Sequence, residues 1–232
     1  MKRFLKIFSI LLIAILLFGC TKEEENNNDN EIDNTKIKEQ QEKINLLDNI
    51  VSKKVAFFDG EFNDRTVILE AKNNNNRPVY LHYSFELYNK DKVKLYNKEV
   101  IVRVGSNSTS YVVAIQDIEE PPFYSYTYKV DVLNDKLDDY NSIKSQIKSS
   151  YNDNGKEIVV SFNNAGIRTT TVYGLLLFYK DSKVVAVKNV ESYNLMPYQT
   201  SNVKVSYPIK TISKKIPFDE IKLVVNEVST EL

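Results

Sequence analysis

From Val55 onward the chain alternates between hydrophobic and polar positions. Val79, Leu81, Tyr83, Phe85 and Leu87 occupy every second position, as do Tyr124, Tyr126, Tyr128, Val130 and Val132. A period of two places each set on one face of a strand, so both segments predict strands with one face on a core. Turn formers separate the runs: Asn73 to Asn76 with Pro78, then Asn89 to Asp91, then Pro121-Pro122, and Asn154-Gly155, which reads as a hairpin turn. Helical spacing appears only at two joints. Ile37, Ile44, Leu47 and Val51 share one helical face before the first strands, and Leu137, Tyr140, Ile143 and Ile147 do so near mid-chain.

The alternating pattern occurs twice. "FELYNKDKV" at Phe85 to Val93 returns as "LFYKDSKV" at Leu177 to Val184. With the chain shifted by 91 residues, positions 67–115 align on 158–206 without gaps, with eight identities. Among them are Asn73/Asn164, Arg77/Arg168, Tyr88/Tyr179 and Ser110/Ser201. Each half later reaches a Pro-Phe pair, Pro122-Phe123 and Pro217-Phe218, and closes on an alternating strand. A repeat of this length is one supersecondary unit used twice. The expectation is an all-β chain of two tandem Ig-like antiparallel β-sandwiches, spanning 44–133 and 134–232, with short helical connectors. Within the first unit, Phe85, Leu87 and Tyr88 resemble the motif of the FxLYD domain, with Asn89 in place of its aspartate. The second unit keeps Phe178 and Tyr179 and has Leu176 at the first aromatic position. The resemblance implies a small sandwich of the kind found on prokaryotic surface proteins, with no catalytic residues to transfer.

Ahead of the repeat, Lys2, Arg3 and Lys6 precede an apolar run from Ile7 to Phe18, and Gly19-Cys20 follow. A basic start, a short apolar stretch and a small residue describe a secretory signal. The run is too short for a spanning helix, which needs about 20 residues. "LFGC", Leu17 to Cys20, resembles the lipobox of bacterial lipoproteins. The resemblance implies cleavage after residue 19, acylation of Cys20 and attachment to the extracytoplasmic face of a cell membrane. Residues 20–43 are crowded with Glu, Asn, Asp and Lys, and cannot offset their ordering entropy by burial. They are expected to form a disordered, partly helical tether. The wealth of Lys, Asn, Ile and Tyr suits an AT-rich genome and a Gram-positive surface.

Composition narrows the chemistry. Lys plus Arg equals Asp plus Glu, at 31 each, so no net field recruits nucleic acid. There is one Cys and one His, which argues against a Cys/His metal site or a Ser-His-Asp catalyst. His82 falls out of phase with its apolar neighbours and should face outward. The acidic groups at Asp117, Glu119 and Glu120, at Asp138-Asp139 and at Asp219-Glu220 sit in loops, where solvated charge is their expected role. No residue is assigned a catalytic, cofactor or metal role, and the chain is read as a non-enzyme. Stacking of sugars on the tyrosine-rich strands is the alternative to a plain half-buried sheet.

The repeat also indicates a contact surface. Outward positions Tyr80, His82, Ser84, Glu86 and Tyr88 of the first unit correspond to Thr171, Tyr173, Leu175, Leu177 and Tyr179 of the second. A strand apolar on both faces is buried on both, so Tyr173, Leu175, Leu177 and Tyr179 are expected to lie under a cover. The cover is either the neighbouring domain or the connector around Leu137 to Ile147, or else an external partner. The functional expectation is a membrane-anchored, non-enzymatic binding module for a protein or cell-wall partner, held to the bilayer through Cys20. The alternative is an accessory solute-binding component of a transporter.

Overall fold

A computed structural model describes residues 27–133, 139–212 and 214–230. The signal segment 1–19, Cys20, Leu137 and Asp138 lie outside the described residues. Helix α1 (Asn27–Leu47) leads into six strands: β1 (Ile50–Asp59), β2 (Arg65–Asn73), β3 (Val79–Tyr88), β4 (Lys94–Val104), β5 (Ser108–Ile115) and β6 (Ser125–Leu133). Helix α2 (Tyr140–Ser145) then opens β7 (Ile147–Asp153), β8 (Ile158–Asn164), β9 (Thr170–Lys180), β10 (Lys183–Leu195) and β11 (Thr200–Val205). The chain closes with β12 (Ile209–Thr211), β13 (Lys214–Lys215) and β14 (Glu220–Thr230).

The architecture is all-β, and the pairing repeats. The sheets run β1-β2-β5 and β4-β3-β6 in the first half, and β7-β8-β11 and β10-β9-β14 in the second. Every pairing in them is antiparallel. No strand of these four sheets crosses from one half to the other. Each half is a two-sheet sandwich with its own core. The first core holds Leu69, Leu81, Tyr83, Phe85, Val112 and Phe123, and the second holds Ile158, Phe162, Val172, Leu176, Phe178 and Val228.

Helix α1 is longer than the expected tether helix. Residues 27–47 contain no Pro or Gly, and Glu, Lys and Gln favour a helical backbone. Val51, placed by spacing on that helix, instead lies in the edge strand β1, because the chain turns at Asp48 and Asn49. Ile37 and Ile44 are exposed, while Leu46 and Leu47 pack against the first core.

The internal symmetry extends to single hydrogen bonds. Asn73 is fully buried, and its side-chain amide donates to the carbonyls of Arg77 (2.8 Å), Val104 (3.2 Å) and Gly105 (2.9 Å). Asn164 is equally buried and donates to Arg168 O (2.7 Å) and Leu195 O (3.0 Å). Both carboxamide oxygens accept a backbone N–H two residues on, from Asn75 and Gly166, each at 2.9 Å. The two arginines pair with acids on the segment that leads into each sandwich, Arg77 with Glu42 and Arg168 with Asp139. The residue after each Pro-Phe docks alike: Tyr124 N donates to Tyr88 O and Asp219 N to Tyr179 O. The cores differ by an exchange of volume. The first carries Ala71 and Tyr83 where the second carries Phe162 and Gly174. A Cβ on Gly174 would lie 2.8 Å from Cζ of Phe162, so the ring fills the space a side chain would need.

Candidate functional site

Strand β9 is central in its sheet, and its two faces have different neighbours. Val172, Leu176 and Phe178 point into the second core. Leu175 and Leu177 point the other way into a third cluster, with Val184 and Val187 of β10 and with Ala56 and Ile68 of the first half. Phe58, Tyr111, Val113, Ile115, Tyr179 and Val224 flank it. Leu177 is fully buried and Leu175 is 5% exposed. The cover over β9 is therefore the outer face of sheet β1-β2-β5. The two sandwiches stack as four layers, β4-β3-β6, β1-β2-β5, β10-β9-β14 and β7-β8-β11. The connector does not provide the cover: Tyr140, Ile143 and Ile147 pack on the second core.

Polar clamps hold both ends of this apolar contact. At one end, Lys188 Nζ meets Glu61 Oε2 at 2.6 Å, and Glu61 also accepts from Ile209 N at 2.9 Å. At the other, β14 bulges between Val225 and Glu227, which frees Asn226 from its own ladder. The Asn226 side chain then accepts from Tyr111 N (2.6 Å) and donates to Tyr111 O (2.9 Å), as a paired strand would. Its backbone carbonyl takes Ser110 Oγ (3.1 Å) and Lys144 Nζ (2.9 Å). Arg103 Nη1 donates to Val228 O at 3.2 Å, and its Nε stands 3.4 Å from Glu227 Oε1. Burial pushes the Glu227 carboxyl upward, opposed by the Arg103 charge. It lowers Lys144 to about 8, against the pull of Glu227.

A cleft of about 400 Å³ opens beside this clamp, lined by Arg103, Tyr111, Tyr173, Glu191, Asn226 and Glu227 among others. Tyr173 faces the cleft, Leu175 lines both the cleft and the buried cluster, and Leu177 lies wholly under the first sandwich. The Glu227 carboxylate faces the Arg103 guanidinium at the cleft, and the buried Arg103 Nε has no hydrogen-bond partner among the described residues. Of the four residues read as an interface surface, Leu175 and Leu177 form the buried contact between the sandwiches, Tyr179 packs against it, and Tyr173 lines the cleft at its rim.

His82 faces outward, its Nε2 2.8 Å from Glu99 Oε2, which also accepts from Ser84 Oγ at 2.6 Å. Asp117 and Glu120 pair with Lys98, and Asp219 with Lys180. Asn154-Gly155 turns the β7–β8 hairpin, with Gly155 at φ +80. The cover over β9 is the neighbouring domain, one of the expected alternatives, and the face that supplies it also carries a signal in the sequence. "TVIL" and "SYVVAI" are apolar at consecutive positions, so β2 and β5 also bury both faces. Thr66 to Leu69 are all buried, with Ile68 facing opposite to Val67 and Leu69.

No protein-family model matches the chain, and no curated protein matches its sequence. Two similar solved structures are a red sea bream transglutaminase and the YadV chaperone. The first is 14% identical with a TM-score of 0.23, covering 78% of this chain and 28% of that one. The second is 9% identical with a TM-score of 0.25, covering 79% of this chain and all of the chaperone. The chain thus spans under a third of the transglutaminase's length.

Proposed function

We propose that the protein is a lipid-anchored extracytoplasmic binding module, and that its paired sandwiches present a rigid surface to a protein or cell-wall partner. The observation that carries the anchor is the run of Leu17, Phe18, Gly19 and Cys20 at the end of a short apolar stretch that begins after Lys2, Arg3 and Lys6. Buried methylenes contribute about 0.8 kcal/mol each, so two or more acyl chains on Cys20 hold the protein at a bilayer where one holds it marginally. Two FxLYD-like sandwiches on a Gram-positive surface fit this reading. The stacked halves support it physically, because a body fixed by an apolar contact with polar clamps loses little freedom when a partner docks. Solute capture for a transporter is the alternative reading, and the cleft lined by Arg103 and Glu227 is where it would occur.

Metabolic labelling with a fatty acid tests the anchor. The wild-type chain should take up label and sediment with membranes. Cys20→Ser should lose the label and either leave the membrane or persist as a precursor. Label retained on Cys20→Ser refutes the assignment.

A further inference from the structure

The repeat supplies its own control. Two copies of one scaffold should share whatever the scaffold requires, and a side-chain set found in only one copy has another cause. The side of the sandwich between the first and last strands differs in this way. In the second sandwich that side is closed, with Tyr151 Oη of β7 donating to Ile221 O of β14 at 3.0 Å. In the first sandwich a groove of about 460 Å³ lies between β1 and β6, lined by Lys54, Phe57 and residues 124–128.

Register gives the equivalent residues. Lys54 lies opposite Leu69, and Tyr151 opposite Val160, its repeat partner. Tyr126 lies opposite Leu87 and Tyr128 opposite Phe85, where the second copy sets Ile221 against Phe178 and Leu223 against Leu176. Tyr124 corresponds to Asp219, since each donates its N–H to the matching tyrosine carbonyl. Three tyrosines and a lysine in the first copy are thus an aspartate, two aliphatics and a tyrosine in the second. The fold stands with either set.

Cations surround the rings. Arg65 lies 4.8 Å from the Tyr124 centroid, Lys90 Nζ 4.7 Å from the same ring, and Lys54 Nζ 5.5 Å from Phe57. Arg65 is paired with Asp59. Among the described residues, Lys54 and Lys90 have no carboxylate partner. Tyr124 is 36% exposed, and the hydroxyls of Tyr124, Tyr126 and Tyr128 make no hydrogen bond within the described protein. Aromatic rings, a lysine without a carboxylate partner in the groove and another beside Tyr124, and phenol hydroxyls free of internal hydrogen bonds match a ligand with apolar ring faces, hydroxyls and negative charge.

We infer that the groove between β1 and β6 binds an acidic glycan, a chain of sugar rings bearing carboxylate or phosphate groups, stacked on Tyr124 and Tyr126 and held by Lys54 and Lys90. An acidic peptide would satisfy the lysines and leave the ring faces less well used. The inference rests on the proposed binding role and names its partner class.

The test is calorimetric titration of the full chain in detergent with hexagalacturonate, with maltohexaose phosphorylated at its 6-hydroxyls, with plain maltohexaose and with hexaglutamate. At least one acidic oligosaccharide should bind and neutral maltohexaose should not. The better of the two identifies the charged group. Tyr124→Ser should weaken binding about tenfold. Lys54→Gln with Lys90→Gln should do the same and flatten the salt dependence. Tyr151→Phe, at the closed side of the second sandwich, should change nothing. Tyr124 and both lysines are at the surface, and an unchanged circular dichroism spectrum confirms the fold of each variant. Four results overturn the inference: neither acidic sugar binding at millimolar concentration, neutral maltohexaose binding equally, hexaglutamate binding more tightly, or indifference to the Tyr124 and lysine substitutions. The labelling of Cys20 is independent, so the glycan can fail while the lipid anchor and a protein partner stand.

Discussion

Adjacent residues on β9 offer a sharp discrimination. Leu176 and Leu177 are both fully buried, yet Leu176 belongs to the second core and Leu177 to the cluster between the sandwiches. Truncating either to alanine should cost about 2–5 kcal/mol, the transfer of the lost methyl groups plus the cavity left behind. The distinction lies in coupling. Ile68 shares the buried cluster with Leu177, whereas the sheet β10-β9-β14 itself separates it from Leu176. A double-mutant cycle of Ile68→Ala with Leu177→Ala should return an interaction energy of about 0.5–3 kcal/mol, and Ile68→Ala with Leu176→Ala less than about 0.5 kcal/mol. Urea unfolding followed by tyrosine fluorescence and by circular dichroism reads both. Leu177→Ala should also pull apart the transitions of the two halves, because it removes the contact that makes them unfold together. Leu176→Ala, which leaves that contact in place, should lower the shared transition without splitting it. Equal coupling of Ile68 to both leucines, or none to either, would refute the placement of Leu177 between the sandwiches.

Other expectations follow from single groups. Asn73→Ala and Asn164→Ala each leave one fully buried carbonyl, Val104 O or Leu195 O, and one backbone N–H, of Asn75 or Gly166, without its side-chain partner, at about 1–3 kcal/mol per orphaned group. The two variants should therefore lose similar stability in urea titrations, and a silent one would end the equivalence of the clips. Lys144 is lowered from 10.5 to about 8 by burial. Between those values the unfolded chain binds more protons than the folded one, so stability should rise with pH across that window. Lys144→Met should flatten the rise relative to wild type in urea midpoints taken at pH 7.5 and 10, and an unchanged slope would show the ammonium to be solvated.

The legible features were those set by period and repeat. The alternation from Val79 to Leu87 fixed which side chains enter the core, because one register places all five together. The two leucines at 175 and 177 broke that alternation and marked a covered face. The nature of the cover was not legible, since complementarity between Ile68 and Leu177 depends on how two sheets stack, which no local pattern encodes. The same holds for the clamp at Tyr111. Asn226 reads as an ordinary polar residue in an apolar strand, and only the bulge in β14 turns it outward. The groove was half legible. "YSYTYKV" announced the tyrosines, but their meeting with Lys54 joins residues some seventy positions apart. Helix α1 exceeded its expected length because low hydrophobicity, which argues against a packed core, says little about a backbone rich in Glu, Lys and Gln.

The central structural claim is that one sandwich is used twice and that the copies meet through Ile68 and Val113 on one side and Leu175 and Leu177 on the other. Methyl-to-methyl nuclear Overhauser effects on the full chain, with isoleucine, leucine and valine methyl groups labelled, measure that meeting directly. Cross-peaks between the first-half pair and the two leucines, absent from Leu177→Ala at the Leu177 position and retained elsewhere, are the expected result. A well-folded spectrum in which Leu175 and Leu177 show contacts only within the second half would contradict the stacked arrangement.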